Sequence, residues 1–360
     1  MSSLTPRPGI LDIAPYKGGE SKLQGVSRVI KLSSNEGALG ASPKAQEAYR
    51  HAAAELYRYP DGGATRLRAA IGARHGLDPE RIVCGCGSDE LIGLLCRAYA
   101  GPGDEVLYSQ HGFLMYSIYA KGVGATPVTA AEVDLRGSVD NLLAAVTEKT
   151  RIVFIANPNN PTGTYMTDAE VKRLRAGLRP DILLVVDAAY AEYVSRNDYT
   201  DGRELVDAHD NVVMTRTFSK IHGLGGVRLG WAYGPEGIID VLNRLRSPFN
   251  VASPALAAGE AAIADAEFTD LARRHNDYWL PWVTGKLRDL GLEATDSVGN
   301  FVLVKVPDAA KCDAFLRGEG IIVRAMGGYG LPDWLRVTIG REDENQAFVE
   351  ALGRFMEQQR

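Results

Sequence analysis

From residue 82 onward the chain alternates short, continuously apolar runs with longer stretches of helical periodicity, and few folds accommodate that rhythm. The apolar runs occupy 82–86, 105–108, 125–128, 152–156, 182–187 and 212–215, with helical patterns at 90–99, 140–146 and 167–176. A strand that alternates apolar and polar residues keeps one face in water, whereas a strand that is apolar throughout is covered on both. Strands of the second kind, separated by helices, predict an α/β fold: a mostly parallel central sheet with helices over its faces. One further strand is predicted over 229–233.

The rhythm changes beyond residue 253. A helical stretch reaches about residue 290, and apolar runs follow at 301–306, 321–323 and 335–339, each beside a helical pattern. This predicts a smaller α+β domain after the large one. Upstream, residues 1–30 are rich in Pro and Gly and carry no period, as expected of an extended N-terminal arm. Ser42-Pro43 opens a helix expected to reach about residue 57, because proline suits a first helical turn. The division expected is an arm over 1–30, a large domain over 31–247 and a small domain over 248–360. A chain of 360 residues, 45% of them hydrophobic, can bury cores for two such domains.

The formal net charge of −5 argues against nucleic acid or an anionic membrane surface as partner. No apolar run reaches the roughly 18 residues of a membrane span, and the first ten residues lack a basic segment followed by an apolar one. A cytoplasmic protein is expected. Cys84, Cys86, Cys96 and Cys312 lack a usual zinc spacing, so they are expected to be reduced, buried thiols, with no metal site.

In an open α/β sheet ligands sit beyond the carboxyl ends of the strands, so polar residues just after a predicted strand draw notice. Gly87, Ser88 and Asp89 follow the first run and open a helix, where free N–H groups and the positive helix end favour a phosphate. A plain helix cap would read the same way. Asn157-Pro158-Asn159-Asn160-Pro161-Thr162-Gly163 follows the run ending at Ala156, and its two Asn-Pro steps hold side chains in fixed directions. Asp187 closes the most apolar run, where a carboxylate needs a partner; a protonated pyridine nitrogen is one, and a following helix to cap is another. Tyr190 lies three residues on. Thr217-Phe218-Ser219-Lys220 follows another strand, and a lysine so placed can form an imine with an aldehyde cofactor. Arg228, eight residues later, would suit a phosphate. Arg324 and Arg336 flank the glycine-rich stretch 327–330 and could capture an anionic substrate group, or simply face water.

Each motif is ordinary alone. Together, in this order and spacing, they resemble the fold-type I pyridoxal-phosphate enzymes, and within them the histidinol-phosphate aminotransferase family, over about residues 15–351. The resemblance implies pyridoxal 5'-phosphate as cofactor, carried on Lys220 as a Schiff base. It implies that Lys220 moves the substrate proton, that Asp187 pairs with the pyridine nitrogen, and that Asn160 and Tyr190 bind the phenolic oxygen. It places Phe113 on the ring and Gly87, Ser88, Asp89, Thr217, Ser219 and Arg228 around the phosphate. Tyr59 would reach the phosphate of a neighbouring subunit, implying a homodimer. Tyr16, Asn35, Arg324 and Arg336 fall where substrate binds. The activity implied is transfer of an amino group from L-histidinol phosphate to 2-oxoglutarate, in histidine biosynthesis. An aromatic amino-acid aminotransferase and a threonine-phosphate decarboxylase remain alternatives on the same scaffold.

Two segments depart from the usual family pattern. Asn35-Glu36-Gly37-Ala38 stands where Asn-Glu-Asn-Pro is common, and Gln110-His111-Gly112 stands where a proline-containing stretch often precedes the ring-stacking aromatic.

Overall fold

The computed structural model describes residues 5–16, 18–23, 25 and 28–359. Parts of the expected N-terminal arm, residues 1–4, 17, 24, 26 and 27, lie outside the described residues. Strands are β1 (Ile30–Lys31), β2 (Ile82–Gly85), β3 (Glu105–Ser109), β4 (Thr126–Ala130), β5 (Thr150–Ala156) and β6 (Leu183–Asp187), then β7 (Val212–Thr217), β8 (Gly230–Tyr233), β9 (Phe301–Lys305), β10 (Ile321–Ile322), β11 (Arg324–Ala325) and β12 (Trp334–Thr338). Helices are α1 (Pro43–Ala52), α2 (Thr65–His75), α3 (Gly87–Tyr99), α4 (Leu114–Val123), α5 (Val139–Ala144) and α6 (Asp168–Gly177), then α7 (Arg203–Ala208), α8 (Glu236–Leu245), α9 (Ser253–Ala264), α10 (Ala266–Asp289), α11 (Ala309–Gly318) and α12 (Glu342–Gln358).

A seven-stranded sheet runs in the order β2-β8-β7-β6-β5-β3-β4. The pairs among β4, β3, β5, β6 and β7 are parallel, and β8 is antiparallel to both of its neighbours. The two reversals cancel, so β2 points the same way as β7 and its carboxyl end joins the same edge.

The sheet is covered on both faces, which is why its strands are apolar throughout. Leu184 and Val186 pack on one side with Val153, Ile155 and Met214. Leu183 and Val185 pack on the other with Val106, Phe154 and Val213. Successive side chains of a strand point to opposite faces, so one apolar run serves two cores. Each such side chain fully removed from water contributes roughly 1.5–3 kcal/mol.

Helix ends follow local chemistry. Ser42 caps α1 by accepting from Ala45 N, with Pro43 in the first turn. That helix stops at Ala52 and continues as a 3-10 turn over Ala53–Glu55, short of the expected residue 57. Thr167 and Glu170 form a reciprocal capping box at the start of α6. The helical stretch from Ser253 to Asp289 is broken at Asp265 into α9 and α10.

A separate core gathers α10, α11 and α12 against the three-stranded sheet β11-β12-β9. Ile30 and Leu32 belong to this core, and β1 pairs in parallel with β10 (Ile30 with Ile321). The chain just after the arm is thereby fastened to the C-terminal elements. The four cysteines are free thiols; Cys84, Cys96 and Cys312 are buried, but Cys86 is exposed, contrary to expectation. No helix among the described residues is long and apolar enough to cross a membrane.

Candidate active site

The carboxyl ends of β2, β5, β6 and β7 share one edge of the sheet, and a cavity of about 310 Å³ opens there. Tyr16, Gly87, Ser88, Asp89, Phe113, Asn160, Asp187, Tyr190, Thr217, Ser219, Lys220 and Arg228 all line it. Residues spread over more than 200 positions meet because, Tyr16 of the N-terminal segment apart, they lie at or just beyond the ends of strands of one sheet.

One end of the cavity is built for an anion. Cys86, at the cap position of α3, makes no side-chain cap hydrogen bond, so the first-turn N–H groups of this thirteen-residue helix are left to other partners. Gly87 sits at φ 84, and a Cβ there would lie 2.7 Å from Arg228 Nη2. Glycine alone meets both demands. Arg228 Nη1 donates to Gly225 O at 3.1 Å and lies 3.5 Å from Ser219 Oγ, while Thr217 Oγ1 donates to Ser219 Oγ at 3.0 Å. A guanidinium, two hydroxyls and an uncapped helix end thus converge.

At the other side Asp187 is 5% exposed and accepts hydrogen bonds from Tyr116 Oη at 2.8 Å and Thr215 Oγ1 at 3.1 Å. Burial pushes its carboxyl upward from the usual value, against the pull of these two hydrogen bonds. A buried carboxylate facing a cavity is suited to a cationic ligand atom.

Lys220 Nζ lies 3.3 Å from Ser34 O and 5.4 Å from the centre of the Tyr190 ring. Burial, reinforced by the Arg336 guanidinium, lowers its amine from an ordinary 10.5 to about 7. A lysine so placed is a neutral nucleophile over part of the physiological range. The loops that carry these groups are tied from behind. Arg216, four residues before Lys220, is buried and bonds Glu192 and Asp201 at 2.8 Å each, linking β7 to the segment following Tyr190. With both partners present the buried charge is matched; removal of one would leave an uncompensated ion.

Some expected residues stand elsewhere. Asn35 is buried at φ 54 and donates through Nδ2 to Tyr190 Oη at 2.9 Å. Arg336 is buried, donating through Nη2 to Ser33 O at 2.8 Å and through Nη1 to Asn160 Oδ1 at 2.5 Å. Both are one contact behind the cavity wall. Arg324 is the cross-strand partner of Arg336 in the β11–β12 pair. Tyr59 is 83% exposed, away from the cavity, with its ring stacked on Phe249 at 4.8 Å. Asn160–Pro161 is a cis peptide, as is Asn157–Pro158.

Sequence reading passed over Met115, Ala156 and Ala189, which with Pro158 of the Asn-Pro turn complete the wall, and Tyr116 and Thr215, which hold Asp187. Helical spacing from Phe113 to Tyr116 and strand alternation from Thr217 back to Thr215 were the available signals.

The family model for aminotransferase class I and II matches residues 27–352. A histidinol-phosphate aminotransferase of Paramagnetospirillum magneticum is 67% identical over 361 residues, covering 99% of each chain. One from Rhodospirillum rubrum is 64% identical over 98% of this chain and 96% of its own. Among solved structures, histidinol-phosphate aminotransferase from Sinorhizobium meliloti in complex with pyridoxal-5'-phosphate superposes with a TM-score of 0.87 at 28% identity, over 92% of both chains. A family match across nearly the full length, together with relatives above 60% identity, decides the matter: the chain belongs to the class I and II aminotransferases.

Proposed function

We propose that this protein is a pyridoxal-phosphate-dependent aminotransferase that moves an amino group from L-histidinol phosphate to 2-oxoglutarate in histidine biosynthesis. The observation that carries this reading is the placement of Lys220. Its amine, lowered to about 7, lines the same cavity as the buried Asp187 carboxylate and the anion-binding end of α3. The residues fit the cofactor. Its phosphate matches the uncapped helix end with Thr217, Ser219 and Arg228; its pyridine nitrogen matches Asp187; its aldehyde matches Lys220. Histidinol-phosphate aminotransferases at 64–67% identity support the substrate.

Bound pyridoxal phosphate would supply an aldehyde carbon for the amino group and a ring that draws electrons from the substrate's reacting carbon. The rest falls to the chain. Lys220 Nζ would hold the aldehyde end of the cofactor and is the base that would move the proton of the substrate's reacting carbon. Asp187 would keep a proton on the pyridine nitrogen through a charge-assisted bond. Tyr190 and Asn160 would orient the phenolic oxygen, Phe113 would cover the ring, and Arg336, from behind Asn160, would with Arg324 attract the anionic group of donor or oxo acid. Donor and acceptor use one site in turn, which makes the kinetics ping-pong.

The working unit on this reading is a cytoplasmic homodimer. Tyr59, stacked on Phe249 with both rings exposed, would contribute to a second subunit's site. Adding candidate amines one at a time to the purified, cofactor-loaded protein tests the substrate. Histidinol phosphate should discharge the cofactor absorbance, and 2-oxoglutarate should restore it.

A further inference from the structure

The departure at Gln110-His111-Gly112 has a structural counterpart. This segment joins β3 to α4 and delivers Phe113 to the cavity, yet no proline stiffens it and Phe113 makes no side-chain cap at the start of α4. It is held instead by Glu132, just beyond β4. Glu132 Oε1 accepts from the backbone N–H of His111 at 3.1 Å, and Oε2 accepts from His111 Nδ1 at 2.8 Å. The side chains are 8% and 2% exposed for His111 and Glu132, so water does not compete for either bond. On the far side Asn159 Nδ2 reaches His111 O at 3.5 Å and Thr162 Oγ1 at 3.0 Å. The turn that carries Asn160 therefore leans on the same residue. Gly112 leaves no slack: a Cβ there would lie 2.9 Å from Ser109 O and 3.0 Å from the Tyr108 ring.

Backbone and ring of one residue are gripped by the two oxygens of a single carboxylate, two positions before the aromatic. A two-point grip fixes both the position and the rotation of the peptide that leads into Phe113. We propose that Glu132 is a positioning residue which, through His111, aims Phe113 at the cofactor ring and does for this loop what a proline does where one is present. The proposal rests on the cofactor reading above.

The test is a double-mutant cycle on cofactor binding: wild type, Glu132→Ala, Phe113→Ala and the double variant, each stripped of cofactor and titrated with pyridoxal phosphate by quenching of tryptophan fluorescence. Visible circular dichroism of the bound cofactor is recorded alongside, since it reports the asymmetry of the ring's surroundings. A residue acting through Phe113 shows strong coupling: Glu132→Ala weakens binding about tenfold in the wild type and less than about twofold when Phe113 is already alanine. The dichroism should fall with the first change and not further with the second. Equal losses in both backgrounds, or no loss in either, overturn the proposal. Should Glu132→Ala fail to fold, the cycle is run with Glu132→Gln, whose carbonyl keeps the backbone contact. A smaller loss confined to the Phe113 background supports the proposal, and an additive loss or none overturns it. A wild type that does not bind pyridoxal phosphate contradicts the proposed function itself, whereas tight wild-type binding with additive variants contradicts only the role of Glu132.

Discussion

Arg336 Nη1 donates to Asn160 Oδ1 at 2.5 Å, joining β12 of the C-terminal sheet to the turn that follows β5 across 176 positions of sequence. This bond couples a group proposed to meet the substrate's anion with one proposed to meet the cofactor's phenolic oxygen. Burial and the neighbouring Arg324 hold the Arg336 guanidinium below its usual value, an electrostatic cost that an incoming anion relieves. Arg336→Ala should therefore weaken the histidinol-phosphate and 2-oxoglutarate half-reactions together, by about 2–5 kcal/mol in kcat/KM. Cofactor retention should change little. An unchanged enzyme would make Arg336 a structural strand residue.

The amine of Lys220 should titrate near neutrality. Its value is lowered by burial first and by Arg336 second, so the group is charged below about pH 7 and neutral above. The rate at which cofactor-free protein captures pyridoxal phosphate should rise through that pH and then level. In Arg336→Ala the midpoint should move upward, because a nearby positive charge has gone. Stopped-flow absorbance across pH measures both. A midpoint near 10, the range of a solvated lysine, would contradict the assignment.

Asp187→Asn keeps the shape and one of the two oxygens that accept from Tyr116 and Thr215, the amide nitrogen donating to the other hydroxyl, but removes the charge. Loss of a bond to a charged group costs about 1.5–3 kcal/mol, so kcat should fall about 10- to 100-fold while thermal stability stays near that of the parent. Near-normal turnover would argue that Asp187 merely closes β6.

Tyr59 and Phe249 should be covered in solution. A homodimer with an interface above about 2,000 Å² in total is expected, and Tyr59→Ala should weaken cofactor binding without dissociating it. Sedimentation of the active enzyme as a monomer would remove this part of the account.

Much of the fold was legible because burial leaves a local mark. The unbroken apolar stretch ending at Asp187 showed both a strand covered on two faces and a carboxylate where none is comfortable. Lys220 was legible for its place directly after β7. Partnership leaves no such mark. Nothing in the run 229–233 says that β8 inserts antiparallel between β2 and β7. The bond from Asn35 to Tyr190 spans 155 positions, and Glu132 and His111 are each unremarkable until the fold of β3 and β4 brings them together. Helix α2 was overlooked because its buried side is narrow, with Leu67, Ile71 and Gly72 facing inward.

The central claim is an amino transfer from L-histidinol phosphate through Lys220. The most direct test begins with borohydride reduction of the purified, cofactor-loaded protein and mapping of the labelled peptide, and then follows cofactor absorbance in the unreduced protein with single amino donors. Label is expected on the peptide containing Lys220, with bleaching by L-histidinol phosphate well ahead of phenylalanine or tyrosine, recovery on 2-oxoglutarate, and no release of carbon dioxide. Label on another lysine would contradict the site, and faster bleaching by phenylalanine or tyrosine, or carbon dioxide released from threonine phosphate, would contradict the substrate.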